Sequence, residues 1–271
     1  MKILLCVYSN MGNTLAACEY LIRKLPQQDI LLHDITSGDA VNLDLYDAVG
    51  FATWSHFLVS PALFSRFVNS LPRRSGTPAF VFNTFGNFNA GTLAHICSLV
   101  AKRGFKIIAA DALHMPDTRP IMICMNNANT DAPGQEEMLT FDRFISNLGT
   151  LLSGDPSTAP RVTLQPSRRF ALRLPRWLGN WQMGPKFVDT DTCTRCGLCA
   201  RGCPYGAITM DDLPRFHESK CAACWRCYNR CPTQAIYTKK YRGRGHYPEP
   251  LPAVREKLGT GKNVSSETDR P

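Results

Sequence analysis

The sequence predicts two folded units in series: a doubly wound α/β sheet of five parallel strands, then a small α+β domain organised around eight cysteines. Three observations predict this. Short continuous apolar runs alternate with helix-period segments over residues 1–153, the pattern of a parallel sheet covered by helices. The first run begins at Lys2, so the sheet opens the chain. Further on, the spacing Cys193-x2-Cys196-x2-Cys199-x3-Cys203-Pro204 is repeated as Cys221-x2-Cys224-x2-Cys227-x3-Cys231-Pro232.

Lys2–Tyr8 reads as a buried strand from its Ile-Leu-Leu-Cys-Val run. Asn13–Leu25 reads as a helix, stopped by Pro26. Asp29–Asp34 is a second strand and Asp47–Thr53 a third. A helix follows from Pro61 to Leu71, with Pro61 in the first turn, where its missing N–H costs nothing. Pro78–Asn83 is the fourth strand, Ala90–Arg103 the crossover helix closed by Gly104, and Phe105–Leu113 the fifth strand. Gln135–Leu152 is the last helix of this unit. The Asn-rich stretch Pro116 to Gly134, apolar only at Ile121–Met125, reads as a long loop. Right-handed crossovers leave few topologies, and the strand order 2-1-3-4-5 is the one expected. Such sheets bind ligands beyond the carboxyl ends of their strands, near the point where strand order reverses. That rule selects loops 9–14, 54–60 and 84–90.

The first loop is Ser9-Asn10-Met11-Gly12-Asn13-Thr14. Ser9 and Thr14 offer hydroxyls, Gly12 permits a tight turn, and the following helix N-terminus presents free N–H groups, an arrangement that favours a phosphate. It is neither a Walker loop nor G-x-G-x-x-G, and a plain N-cap turn is the bland alternative. Thr53-Trp54-Ser55-His56-Phe57 follows the third strand, and Asn83-Thr84-Phe85-Gly86-Asn87-Phe88-Asn89 the fourth. Aromatic faces beside amides and backbone donors suit a flat ring with polar edges, although each aromatic can also be ordinary packing and His56 an ordinary solvated histidine. The first loop resembles that of flavodoxins, Ser/Thr-x-Thr-Gly-Asn-Thr: Ser9, Gly12, Asn13 and Thr14 match, and Met11 replaces the middle threonine. The resemblance implies a flavodoxin-like fold and an FMN whose phosphate sits on residues 9–14. Flavodoxins place an aromatic residue and backbone groups of the loop after the third strand against the ring, here Thr53, Trp54, Ser55 and His56, while Asn83, Thr84, Phe85, Gly86 and Asn87 offer it amides, a glycine and an aromatic without a fixed signature.

The cysteine repeat carries the second chemistry. A cubane iron–sulfur cluster needs four converging thiolates; a C-x2-C-x2-C loop supplies three, and the fourth must arrive from elsewhere. Four disulfides would require an oxidising compartment, and zinc modules usually present pairs of C-x2-C. The prolines after Cys203 and Cys231 lack an N–H and fix the turn. Matching Pro-x-x-Ala-Ile turns place Ile208 and Ile236 equivalently, as apolar covers for the clusters. At all eight cysteines the segment resembles a bacterial-type 2[4Fe–4S] ferredoxin, in which the fourth Cys of each run ligates the other cluster. The resemblance implies that Cys193, Cys196, Cys199 and Cys231 hold one [4Fe–4S] cluster, and Cys203, Cys221, Cys224 and Cys227 the second.

Composition bounds the rest. The 271 residues are 44% hydrophobic and 20% charged, which suits one or two globular domains. The first apolar run, Ile3 to Val7, is too short for a signal peptide, and no run approaches a membrane-spanning length. Of 12 cysteines, Cys6, Cys18, Cys97 and Cys124 fall outside the repeat and are expected as buried thiols, so a reducing, cytoplasmic setting is expected. The net charge of +9 is uneven: residues 154–186 carry 6 basic against 1 acidic side chain, and 239–271 carry 8 against 4. The expected organisation is therefore a sheet domain at 1–153, a basic, aromatic connector at 154–186, the cysteine domain at 187–238, and a disordered basic tail at 239–271. In the connector Phe170, Leu174, Trp177, Leu178 and Trp181 recur at helical spacing, a stripe expected to pack one domain on the other, with an interfacial membrane helix as the sharper alternative. The basic connector suits docking of an acidic redox partner better than nucleic acid, which is not expected.

Together, residues 1–150 and 186–238 resemble flavodoxin-domain ferredoxin fusions. That implies electron transfer between two clusters and an FMN, to or from a partner protein or a small acceptor. A pure electron carrier with an empty flavodoxin-like scaffold is the rival. No Ser/His/Asp set stands out, so any enzymatic activity is expected to be that of an oxidoreductase.

Overall fold

Five apolar runs build one sheet: β1 (Lys2–Val7), β2 (Asp29–Asp34), β3 (Ala48–Trp54), β4 (Pro78–Phe85) and β5 (Lys106–His114), all parallel. Their spatial order is β2-β1-β3-β4-β5, the order expected from sequence. The computed structural model describes residues 1–156, 158–160, 162 and 176–260. The connections are α1 (Asn13–Lys24), α2 (Ala62–Ser70), α3 (Thr92–Lys102), α4 (Pro120–Cys124) and α5 (Gln135–Ser153). β1, β3 and β4 are buried almost throughout because helices cover both faces, which is why their sequences run apolar without alternation. One layer packs Leu21, Phe82, Phe141 and Leu148 between the sheet and α1 and α5; the other packs Phe51, Phe64, Val81 and Phe105 beneath α2 and α3.

Register brings the strand ends together. Val7 pairs with Ala52, and Trp54 with Thr84, so the chain leaves β1, β3 and β4 at one edge. Most boundaries shift by a residue or two from expectation; at the ligand edge β3 runs on to Trp54, β4 to Phe85 and β5 to His114, and Thr53, Asn83 and Thr84 are buried and continue the ladder. The expected long loop after β5 contains α4, with Pro120 in its first turn. Cys6, Cys18 and Cys97 are buried as expected, whereas Cys124, at the end of that short helix, is exposed.

The second unit follows α6 (Arg176–Met183). It comprises β6 (Lys186–Val188), α7 (Leu198–Arg201), β7 (Ile208–Met210), β8 (Pro214–Phe216), α8 (Arg226–Asn229) and β9 (Ile236–Thr238). β6 pairs with β9 and β7 with β8, both antiparallel. The sequence repeat is a backbone repeat too. Arg195 and Gly197 have φ of 55° and 72°, and the equivalent Ala223 and Trp225 have 55° and 63°. These left-handed turns curl each C-x2-C-x2-C loop so that its cysteines face inward. A bulky residue at positive φ is an outlier, and Trp225 stands where the first repeat has glycine.

The expected disordered tail is a correction. Residues 239–260 are folded: Tyr241 and Tyr247 are buried, and α9 (Pro252–Lys257) brings Val254 and Leu258, each 0% exposed, into the sheet domain's core. A Gly- and Pro-rich segment can still fold when its few apolar residues each meet a prepared slot. Residues 261–271 lie outside the described residues. So do Phe170, Leu174 and the side chains of Trp177 and Leu178 from the connector stripe; Trp181, the remaining member, is 68% exposed, with Lys240 Nζ 4.7 Å from its ring centre.

The tail crosses the first loop at Gly12. Gly12 has φ +95°, and a Cβ there would stand 2.7 Å from Pro250 Cδ. Gly12→Ala is expected to cost about 1–2 kcal/mol from the left-handed backbone alone. Displacement of Pro250 adds to that, and a lowered urea midpoint at unchanged slope would report it.

Candidate functional site

A cavity of about 520 Å³ opens at the shared strand edge. The loop after β1 contributes Ser9, Asn10, Met11, Asn13 and Thr14 to its wall. Trp54, Ser55 and His56 contribute from β3 and its loop, and Thr84, Phe85, Gly86 and Asn87 from β4 and its loop. Three of the sequence-selected residues do not border it. Gly12 faces Pro250, Thr53 is buried with its hydroxyl donating to Tyr8 O at 3.2 Å, and Asn83 is buried with its amide donating to Asn89 Oδ1 at 2.8 Å.

Several lining side chains hold the walls in place. Ser9 Oγ accepts from Leu15 N at 3.2 Å, capping α1. Thr14 and Thr84 hydroxyls meet at 2.8 Å, locking the first loop to β4. Asn13 donates to Pro116 O at 3.2 Å and accepts from the Tyr247 hydroxyl at 2.9 Å. Ser55 Oγ meets Thr92 Oγ1 at 2.8 Å, and Asn87 donates to Asn127 O at 3.1 Å.

Other polar atoms are enclosed with no partner among the described residues: Asn10 Oδ1, Trp54 Nε1 and His56 Nε2. Enclosed polar atoms without partners are rare, and each costs about 1–3 kcal/mol if nothing meets it. His56 stands between Trp54 and Phe57, with ring centres 4.6 and 4.5 Å away. Burial first, and the Arg119 guanidinium second, push its imidazole down to about 3, so it is neutral at ordinary pH.

Two parts of the wall escaped the sequence reading. The stretch after β5 supplies Met115, Asp117, Arg119 and Met122, with Asp117 gripping Arg119 through contacts of 2.6–3.1 Å. The strand-end rule applied to β5 would have pointed there. Ala223, Cys224 and Trp225 come from the cysteine domain. Their signal was Trp225, standing where the first repeat has Gly197.

The eight cysteines surround two small cavities. The inner one is bordered by Cys203, Cys221, Cys224 and Cys227, the outer by Cys193, Cys196, Cys199 and Cys231. Among the described residues no three His, Cys, Asp or Glu side chains close on a point as a single ion requires; a cubane is wider and takes its thiolates further apart. Backbone N–H groups of Ala207, Ala223 and Ala235 donate to the sulfurs of Cys203, Cys221 and Cys231 at 3.2–3.4 Å. Burial pushes the Cys199 and Cys224 thiols up to about 11 and Cys227 well above its ordinary value, so their thiolates require a compensating positive charge such as iron.

The two units are bolted together here. Asn10 donates to Cys224 O at 2.7 Å, Arg226 donates to Ser9 O and Asn10 O at 3.2 and 3.3 Å, and Asn229 donates to Thr118 O at 3.0 Å.

A family model, the 4Fe-4S dicluster domain, matches residues 192–235 and so spans all eight cysteines. The pyruvate synthase subunit PorD of Methanocaldococcus jannaschii is 35% identical over 60 residues, covering 21% of this chain and 70% of that protein. The chain belongs to the 4Fe-4S dicluster ferredoxins, here fused to a flavodoxin-like domain. Its dicluster unit is a ferredoxin-like electron-transfer domain. The archaeal glutamate synthase of Archaeoglobus fulgidus is 37% identical over 82 residues, 28% of this chain and 16% of that protein. The chain spans a fifth or less of the glutamate synthases it matches. Over the sheet domain, the solved flavodoxin 2 of Bacillus cereus is 16% identical, covers 55% of this chain and 99% of its own, and has a TM-score of 0.44. Among the described residues no helix is long and apolar enough to cross a membrane.

Proposed function

We propose that this dicluster fusion is an iron–sulfur flavoprotein. It would pass electrons between two [4Fe–4S] clusters and an FMN held in the large cavity, and exchange them with a redox partner or a small acceptor. The observation that carries the proposal is Cys224: it borders both the inner cysteine cavity and the large cavity. Cys193, Cys196, Cys199 and Cys231 would hold the outer cluster and Cys203, Cys221, Cys224 and Cys227 the inner one, and together they would supply a one-electron path to or from a flavin in the neighbouring cavity.

The cavity's chemistry fits a flavin. Its volume suits a cofactor, and the orphaned Asn10 Oδ1, Trp54 Nε1 and His56 Nε2 offer an acceptor, a donor and a tautomer-dependent group to a polar-edged ring. Among the described residues no side chain caps the first N–H groups of α1 beyond Ser9's bond to Leu15, which leaves room for a phosphate at Asn13 and Thr14. Met11 contributes an apolar wall in place of a hydroxyl. When bound, a flavin exchanges one or two electrons, matching clusters that move one at a time. The protein's part is placement: Trp54 and His56 orient the ring edge, His56 as a neutral hydrogen-bond partner, while Trp225 and Phe57 exclude water. Covalent fusion makes the encounter intramolecular. The partner is a redox protein, and the 6-to-1 basic excess of residues 154–186 fits an acidic face on it. The setting is a reducing one such as the cytoplasm.

Anaerobically purified protein is expected to hold about eight iron and about one heat-releasable FMN per chain. Eight iron with no flavin, and no binding when FMN is titrated in, would overturn the flavoprotein and leave a two-cluster carrier on an empty scaffold.

A further inference from the structure

We propose that Lys186 sets the reduction potential of the inner cluster, holding it high enough for the outer cluster to reduce it. This rests on the cysteine assignment above and is independent of the flavin.

The two cysteine cavities differ in their surroundings. At the outer one Cys196 is exposed, and the bordering cation, Arg195, is 57% exposed and paired at 3.1 Å with Asp212, itself 78% exposed. Charges so placed are screened by water and salt. At the inner one Cys221 is buried, and Ala222 and Trp225 close the wall. Reduction transfers one electron from the outer cluster to the inner, adding one negative charge where water is scarcer. Burial alone disfavours that charge. With nothing to offset it, the inner cluster would be the harder to reduce, and electrons would stall at the surface.

Lys186 supplies the offset. It opens β6 with a side chain only 2% exposed, and it borders the inner cavity. Lysine is almost never so buried, since its long stem usually carries the ammonium to water. Here Nζ is turned inward, 2.8 Å from Glu218 Oε2 and 3.6 Å from Met183 Sδ, while Lys186 N donates to the other Glu218 oxygen at 3.2 Å. The Glu218 carboxylate meets the ammonium inside the fold and offsets part of the cost of burying it. Glu218 does not border the cavity and is 39% exposed, so its charge is the more screened of the two. Of this pair the ammonium is therefore the charge that acts more strongly on the inner cavity. Arg226 also borders that cavity but directs its Nη1 to the carbonyls of Ser9 and Asn10.

The test is a redox titration of the full chain, followed by low-temperature electron paramagnetic resonance. The inner cluster is identified by the signal lost in Cys224→Ser. In Lys186→Met that cluster's reduction equilibrium is expected to become at least about tenfold less favourable, a fall of about 59 mV for one electron, with the outer cluster unmoved. Lys186→Arg is expected to restore most of it. Glu218→Gln keeps the ammonium and removes its counter-charge, so it is expected to shift the same potential upward, an outcome that does not depend on Lys186→Met folding. Both potentials unmoved in either variant, at full iron content, would overturn the proposal. A wild-type iron content short of about eight would overturn the cysteine assignment, and the proposal with it.

Discussion

Cys224→Ser is expected to remove roughly half of the iron and acid-labile sulfide and to abolish flavin retention, whereas Cys193→Ser is expected to lose a similar share of iron and keep its flavin. The difference follows from position. Cys224 borders the inner cysteine cavity, its carbonyl accepts from Asn10 in the first loop, and its neighbours Ala223 and Trp225 form part of the large cavity's wall. Cys193 borders the outer cavity and neither the inner nor the large one. Metal binding in such small domains is also folding energy, so an inner loop without its cluster keeps only the packing of Trp225 on Tyr228 and Tyr241 to hold Ala223 and Trp225 at positive φ. The wall then relaxes, and the bond from Asn10 goes with it. Iron, sulfide and flavin assays on the three proteins decide the matter. Equal flavin loss in both variants would mean that the dicluster domain supports the cavity only through overall stability and not through Cys224.

Much of this was legible in the sequence, and the limits have physical causes. Strands buried on both faces announce themselves as continuous apolar runs, so the five strands and their order could be read. Ligand spacing is local, so both cysteine runs could be read as well. Contacts between distant segments leave no such trace. The bond from Asn10 to Cys224 spans 214 residues, and nothing in either segment names the other. Lys186 closes a basic connector and reads as a solvated charge; its burial is created by Glu218 and Met183. Several residues picked for a ligand, among them Ser9, Asn13 and Ser55, use their side chains to hold the walls, since loop composition does not say which polar groups are already satisfied. The folded tail was the clearest miss. Leu251, Val254 and Leu258 do fall at helical spacing, but Gly and Pro around them masked a stripe of three.

That tail supports the second large expectation. Leu258→Ala is expected to destabilise the protein by about 2–5 kcal/mol, the usual cost of emptying a filled core site. Leu258 is 0% exposed, shares its cluster with Leu21, Leu25 and Val254, and offers its carbonyl to Arg23. Tyr247→Phe is expected to cost less, about 1–3 kcal/mol for the unmet acceptor it leaves, yet to weaken FMN more. The Tyr247 hydroxyl donates to Asn13 Oδ1 at 2.9 Å, and its backbone N–H donates to Asn229 Oδ1 at 3.1 Å. One residue thus ties the tail and α8 to the loop proposed to hold the phosphate. Urea unfolding and FMN fluorescence titration separate the two effects. Leu258→Ala should lower the midpoint while native protein keeps its FMN affinity, and Tyr247→Phe should lower affinity under conditions where the protein stays folded. Affinity untouched in Tyr247→Phe would reduce the tail to a stabilising strap. A cost below about 1 kcal/mol in Leu258→Ala would mean that the tail's helix is not part of the core, because a fully buried leucine cannot be removed that cheaply.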